Sequence, residues 1–118
     1  MRGTNPTEQE LMGYISEHKI INTHSHHLPE QKMMDFDLDK LLGNSYLQWQ
    51  QVTPGTTAES RTAYLEKMRY RSFFVWLQKA VGELYGVADP ITAKNWDQIS
   101  DQIRKAHQNP SFYMDVLK

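Results

Sequence analysis

The chain has no cysteine. That excludes a disulfide framework and thiolate metal ligands, so any bound metal must rest on His, Asp or Glu. An excess of one charge is also missing. Thirteen basic residues against fourteen acidic ones leave a formal net charge of −1, without the positive surplus that nucleic acid or an anionic membrane demands. Long apolar runs are lacking too. No segment approaches the ~20 residues of a membrane span, and the polar start Met1–Pro6 has no signal-peptide core. These absences predict a cytoplasmic protein that binds neither membrane nor nucleic acid. What remains is 118 residues with 39% hydrophobic content, enough for a single domain with one core.

Apolar periodicity reads as helix after helix. Thr7 and Glu10 have the spacing of a capping box, and Leu11, Met12, Ile15 and His18 share one stripe, predicting a helix from Thr7 to His18. In Lys19-Ile20-Ile21-Asn22-Thr23-His24 two adjacent β-branched residues predict one short buried strand, the only strand expected. Pro29 closes this portion. Phe36, Leu38, Leu41 and Leu42 before Gly43 then predict a short helix with a glycine stop, and Tyr46, Leu47 and Trp49 a second piece. Thr53-Pro54-Gly55-Thr56-Thr57 is turn chemistry, with Thr56 and Glu59 as a second capping box.

From Ala58 to Tyr85 the 3-and-4 spacing of Tyr64, Leu65, Met68, Phe73, Trp76, Leu77, Ala80, Val81 and Leu84 predicts one long helix, or two joined near Tyr70 to Ser72, ended by Gly86. Thr92 is placed to cap a helix whose inner face is Trp96, Ile99, Ile103 and Ala106. Asn109-Pro110 opens a last helix bearing Phe112, Tyr113, Val116 and Leu117. The expectation is a single mainly α domain over 1–118, with at most one strand. Residues 7–28 hold the first helix, the strand and a histidine motif, and 29–118 are helical. Phe73, Phe74, Trp76, Tyr85 and Trp96 are assigned to its core.

Chemistry concentrates at Thr23-His24-Ser25-His26-His27. On an extended segment, side chains two apart share a face, so Asn22, His24 and His26 line one side and His27 the other. Two neutral imidazoles side by side form part of a ligand set for a divalent metal such as zinc, whereas a catalytic zinc takes three protein ligands and a water. By motif alone the segment reads equally as a polar strand end. An Ile-Ile run emptying into the histidines and followed by Leu28-Pro29 favours ligands, because barrel enzymes deliver their chemistry at the C-terminal ends of strands.

Other polar groups read as structural. Lys67, Arg69 and Arg71 make a solvated helix face. Asp35, Asp37 and Asp39 lack the glycine and terminal glutamate of a calcium loop. His18 and His107 sit at helix C-termini, where imidazole complements the dipole.

The stretch Ile20-Ile21-Asn22-Thr23-His24-Ser25-His26 resembles the first barrel strand of the amidohydrolase superfamily, in its uronate isomerase-like branch. Leu42-Gly43-Asn44-Ser45-Tyr46-Leu47-Gln48-Trp49, Leu84-Tyr85-Gly86 and Ile91-Thr92-Ala93-Lys94-Asn95-Trp96-Asp97 are similar to the helical insertion that follows this strand. Asn22 stands where an Asp is common. The resemblance implies a (β/α)8 barrel of which this chain is the N-terminal part, with His24 and His26 as ligands of a divalent metal. It also implies a sugar acid or similar substrate, acted on only by the complete protein. The isolated chain would then be inactive. The reading from another class is a stand-alone helical interaction module, and under either one an unpaired strand predicts a homo-oligomer.

Overall fold

The computed structural model describes residues 5–24, 26, 32, 34–50 and 52–116, with the side chains of 49 and 50 left aside. His27, Leu28, Pro29 and Leu117, and the roles given to them above, lie outside these residues. Helix α1 spans Pro6–Glu17 and opens one residue earlier than the Thr7–Glu10 pair predicts. Proline, with its fixed φ and no N–H to satisfy, takes the first helical position, which makes Asn5 the cap. Its Oδ1 accepts the Thr7 N–H at 3.1 Å. The helix ends at His18, whose ring Nδ1 lies 2.6 Å from the Tyr14 carbonyl oxygen, so this histidine does cap a C-terminus.

The expected strand does not form. No strand occurs among the described residues, and Ile20 and Ile21 are 83% and 82% exposed instead of buried. A strand needs a partner ladder and a covering layer, and neither is supplied by the described part of this chain.

From Phe36 onward the chain has an interior. Helix α2, Leu38–Gly43, is capped by Asp37, whose side chain accepts the Lys40 N–H at 2.9 Å. It buries Leu38 and Leu42. Gly43 closes the helix without the left-handed backbone of a glycine stop, and Asn44 follows as the C-cap. A 3-10 helix, Tyr46–Gln50, contributes Leu47 to the core.

The next turn shifts the anticipated capping box by one residue. Thr57 and Ser60 exchange the reciprocal bonds, rather than Thr56 and Glu59. Gly55 accounts for the register: its φ is +66°, and a Cβ there would lie 2.5 Å from the Ser60 Oγ. Helix α3 then runs Ala58–Met68 and α4 runs Ser72–Tyr85, the two-helix alternative. Gly86, at φ +68°, returns its N–H to the Gly82 carbonyl and ends α4.

Thr92 and Asn95 hold the entry to α5. The Thr92 N–H donates to Asn95 Oδ1 at 2.7 Å, and the Asn95 N–H to Thr92 Oγ1 at 3.3 Å. The helix proper, Trp96–His107, starts after them. It buries Trp96, Ile99, Ser100, Ile103 and His107 on one stripe, and α2 and α4 pack on it. Helix α6, Phe112–Val116, folds back onto its far end.

The hydrophobic core comprises Phe36, Leu38, Leu42, Leu47, Tyr64, Leu65, Met68, Phe74, Val81 and Ile91 together with Trp96, Ile99 and Ile103 of α5. Of the aromatic residues assigned to it, Phe74 and Trp96 are buried and Tyr85 is half-buried, but Phe73 and Trp76 are 59% and 66% exposed. Helix α4 is apolar nearly all round, yet α5 and the 3-10 helix cover only one side of it. No helix among the described residues is long and apolar enough to cross a membrane.

Candidate metal half-site

His24 and His26 meet. Their Nε2 atoms are 3.0 Å apart, with ring centroids at 4.8 Å and planes inclined by 75°. The segment is organised from its polar side. Asn22 Oδ1 accepts the His24 N–H at 3.1 Å, a local turn bond of the kind asparagine forms with the backbone two residues on. The expected pairing of the imidazoles is thus present, although it comes from an exposed, irregular segment and not from the pleat of a strand.

The separation can be tested against coordination chemistry. Two nitrogens, each about 2.05 Å from one zinc ion, lie 3.0 Å apart when they subtend roughly 94° at the metal, about 15° less than a tetrahedral pair, which would stand about 3.3 Å apart. Without metal the same distance fits one ring donating its N–H to the other. The donor set stops at these two. Among the described residues no three His, Asp or Glu side chains gather as a metal would require.

The three alternating aspartates serve the fold. Asp35 pairs with Lys40, whose hydrogen bond and charge hold the carboxyl below its ordinary range. Asp37 caps α2 and lies 3.6 Å from the Arg104 guanidinium. Asp39 accepts the Trp96 indole N–H at 3.2 Å, joining α2 to α5. Lys67, Arg69 and Arg71 are exposed, as a solvated face requires.

His107 stands at the helix C-terminus as expected and is also part of the interior. It ends α5, but its ring is turned inward and only 7% exposed. Nε2 is 2.8 Å from the Tyr85 hydroxyl, and the Phe36 and Phe112 rings lie 5.1 and 5.0 Å away. Burial pushes the Tyr85 hydroxyl up to about 12. The row Trp96, Ile99, Ile103, His107 has the 3-and-4 spacing of a buried stripe, and that signal would have assigned the histidine inward. Ser100 was equally legible one turn after Trp96. Its buried Oγ accepts the Leu38 N–H at 3.3 Å, one of the unsatisfied donors at the start of α2.

No family model, curated protein or solved structure matches the chain.

Proposed function

We propose that this chain is the N-terminal segment of a metal-dependent enzyme of the amidohydrolase type, resembling the uronate isomerase-like branch. His24 and His26 supply two ligands to a divalent metal, zinc in the first instance. The observation that carries the reading is the convergence of the two Nε2 atoms to 3.0 Å, a spacing one metal ion can bridge. Ile20 and Ile21, exposed directly before the pair, support it: they are the surface that neighbouring barrel strands would cover.

In the complete protein, working in the cytoplasm, the metal would polarise a carbonyl or activate a water for isomerisation of a sugar acid or for hydrolysis. The role of this chain is narrower. His24 and His26 bring their Nε2 atoms within 3.0 Å of each other, and the Asn22 side chain accepts the backbone N–H of His24. The remaining ligands and the acid–base groups come from later strands, so the 118-residue chain by itself turns over no substrate.

Calorimetric titration with zinc tests the half-site. One weak site is expected, lost in both His24→Ala and His26→Ala. Binding undiminished by either substitution overturns the assignment. Isomerase or hydrolase turnover by the purified chain overturns the division of labour between this segment and the rest.

A second reading, a helical self-association module without catalysis, is favoured by a separate observation. Leu11, Met12 and Ile15 on α1, and Phe73, Trp76 and Leu84 on α4, are between 44% and 66% exposed. Apolar surface of that extent on two helices points to burial against another molecule. Sedimentation across a concentration series checks it, and a species that stays monomeric throughout counts against it.

A further inference from the structure

Two exposed apolar helix faces occur in this chain, and they carry opposite charge. Helix α1 has Glu8, Glu10 and Glu17 and no lysine or arginine between Pro6 and Glu17. Its apolar stripe, Leu11, Ile15 and Met12, is exposed, and none of its residues is buried. Glu10 and Glu17 share the row of Tyr14 beside that stripe, being four residues before it and three after it.

The face of α4 is the counterpart. Phe73, Trp76 and Leu84 recur at helical spacing and are 59%, 66% and 44% exposed. Cations stand beside them on α4 and just before it in the chain. Arg69 and Arg71 stand at the junction just before the helix, and the Lys79 ammonium lies 5.2 Å from the Trp76 ring centroid. Among the described residues no carboxylate forms an ion pair with Arg69 or Arg71; the acids on α3 and α4 are Glu59, Glu66 and Glu83.

We infer that α1 of one copy docks on the α4 face of a second copy, with Leu11 and Ile15 against Phe73 and Trp76, and Glu10 and Glu17 toward Arg69 and Arg71. The inference rests on the self-association reading and gives it a surface. Reciprocal exchange closes the pair under two-fold symmetry, so a single contact geometry is used twice and both unpartnered faces in each chain are covered. Charge complementarity selects this pairing over α1 with α1 or α4 with α4, either of which would bring like charges together. It uses no atom of the histidine pair.

The test is sedimentation velocity on the full chain over a concentration series, with circular dichroism to confirm folding. Because Ile15 and Trp76 are exposed, Ile15→Glu and Trp76→Glu should keep their helix signal while the dimer dissociation constant rises about tenfold or more. Mixing the two variants should restore a one-to-one dimer, since one of the two contacts is then intact. Arg69→Glu with Arg71→Glu should weaken association, and adding Glu10→Arg with Glu17→Arg should recover it.

A wild-type chain that remains monomeric overturns both the inference and the self-association reading, including the case in which α1 docks on its own α4. A dimer indifferent to Ile15→Glu and Trp76→Glu, or a charge reversal without rescue, overturns the inference alone.

Discussion

Residues 5–26 and residues 34–116 both contain large apolar side chains, and they differ in what those side chains touch. In the first region Leu11, Met12, Tyr14, Ile15, Ile20 and Ile21 are all exposed. In the second, Leu38, Leu42, Met68, Phe74, Trp96, Ile99 and Ile103 are almost wholly withdrawn from water. Local helix signals are present in both, since α1 has its own side-chain cap at Asn5. Apolar content and capping therefore make an element, but only neighbouring elements make a core.

The comparison breaks most visibly at Trp96. It is fully buried, its indole N–H is held by Asp39, Tyr64 meets it edge-on and the Arg61 guanidinium lies 5.2 Å from its ring centroid. Trp96→Ala should cost about 3–5 kcal/mol, seen as a lower urea midpoint, whereas Ile20→Ala should leave that midpoint where it is. Equal effects at the two positions would mean that the N-terminal region has a packed state.

Ser100→Ala probes the polar link inside the core. It strands the buried Leu38 N–H at the start of α2, with an expected loss of about 1–3 kcal/mol in equilibrium denaturation. Slowed amide exchange at Leu38 in the variant would contradict the bond.

The aromatic cluster adds a pH dependence. Burial raises Tyr64 and Tyr85 from an ordinary 10.0 to about 12, with the Asp39 charge adding to the rise at Tyr64. A hydroxyl whose folded pKa is raised contributes stability that is complete below the unfolded value. That contribution disappears as pH rises from 10 through 12. The tyrosines' share of the urea midpoint should thus be constant below pH 10 and fall across that window. Tyr85→Phe, which removes the hydrogen bond to His107 at a cost of about 0.5–1.5 kcal/mol, should make the fall shallower. A slope unchanged by the substitution would assign the alkaline loss elsewhere.

The smallest effect is expected from removing residues 1–18. In dilute protein the stability of the remainder should change by no more than ~0.5 kcal/mol, because α1 buries nothing. A larger loss in thermal unfolding would show that α1 braces the core and erase the contrast between the two regions.

Helix positions were legible in the sequence because 3-and-4 spacing, Gly86 and the break near Tyr70 are local signals, and the structure has α3, α4 and α5 where that spacing lies. The inner face of α5 was legible for the same reason, down to Trp96, Ile99 and Ile103. Cap identity was less secure. Pro6 and Gly55 moved two caps by one residue, since each fixes a backbone conformation that a capping pattern alone does not weigh. Of the candidate site, the pairing of His24 with His26 was expected on a strand that did not form, and an irregular segment brings the two rings together instead.

The sequence by itself thus determined the mainly α character and the positions of most helices, with ends off by one to three residues, all consequences of short-range backbone and side-chain chemistry. Tertiary structure alone decided that Phe74 is covered while Phe73 is not, that Tyr85 is the group meeting His107, and that Ile20 and Ile21 stay wet. Burial depends on which surface arrives opposite a residue; the period of a segment can name its apolar face, as on α5, but not whether another element covers that face.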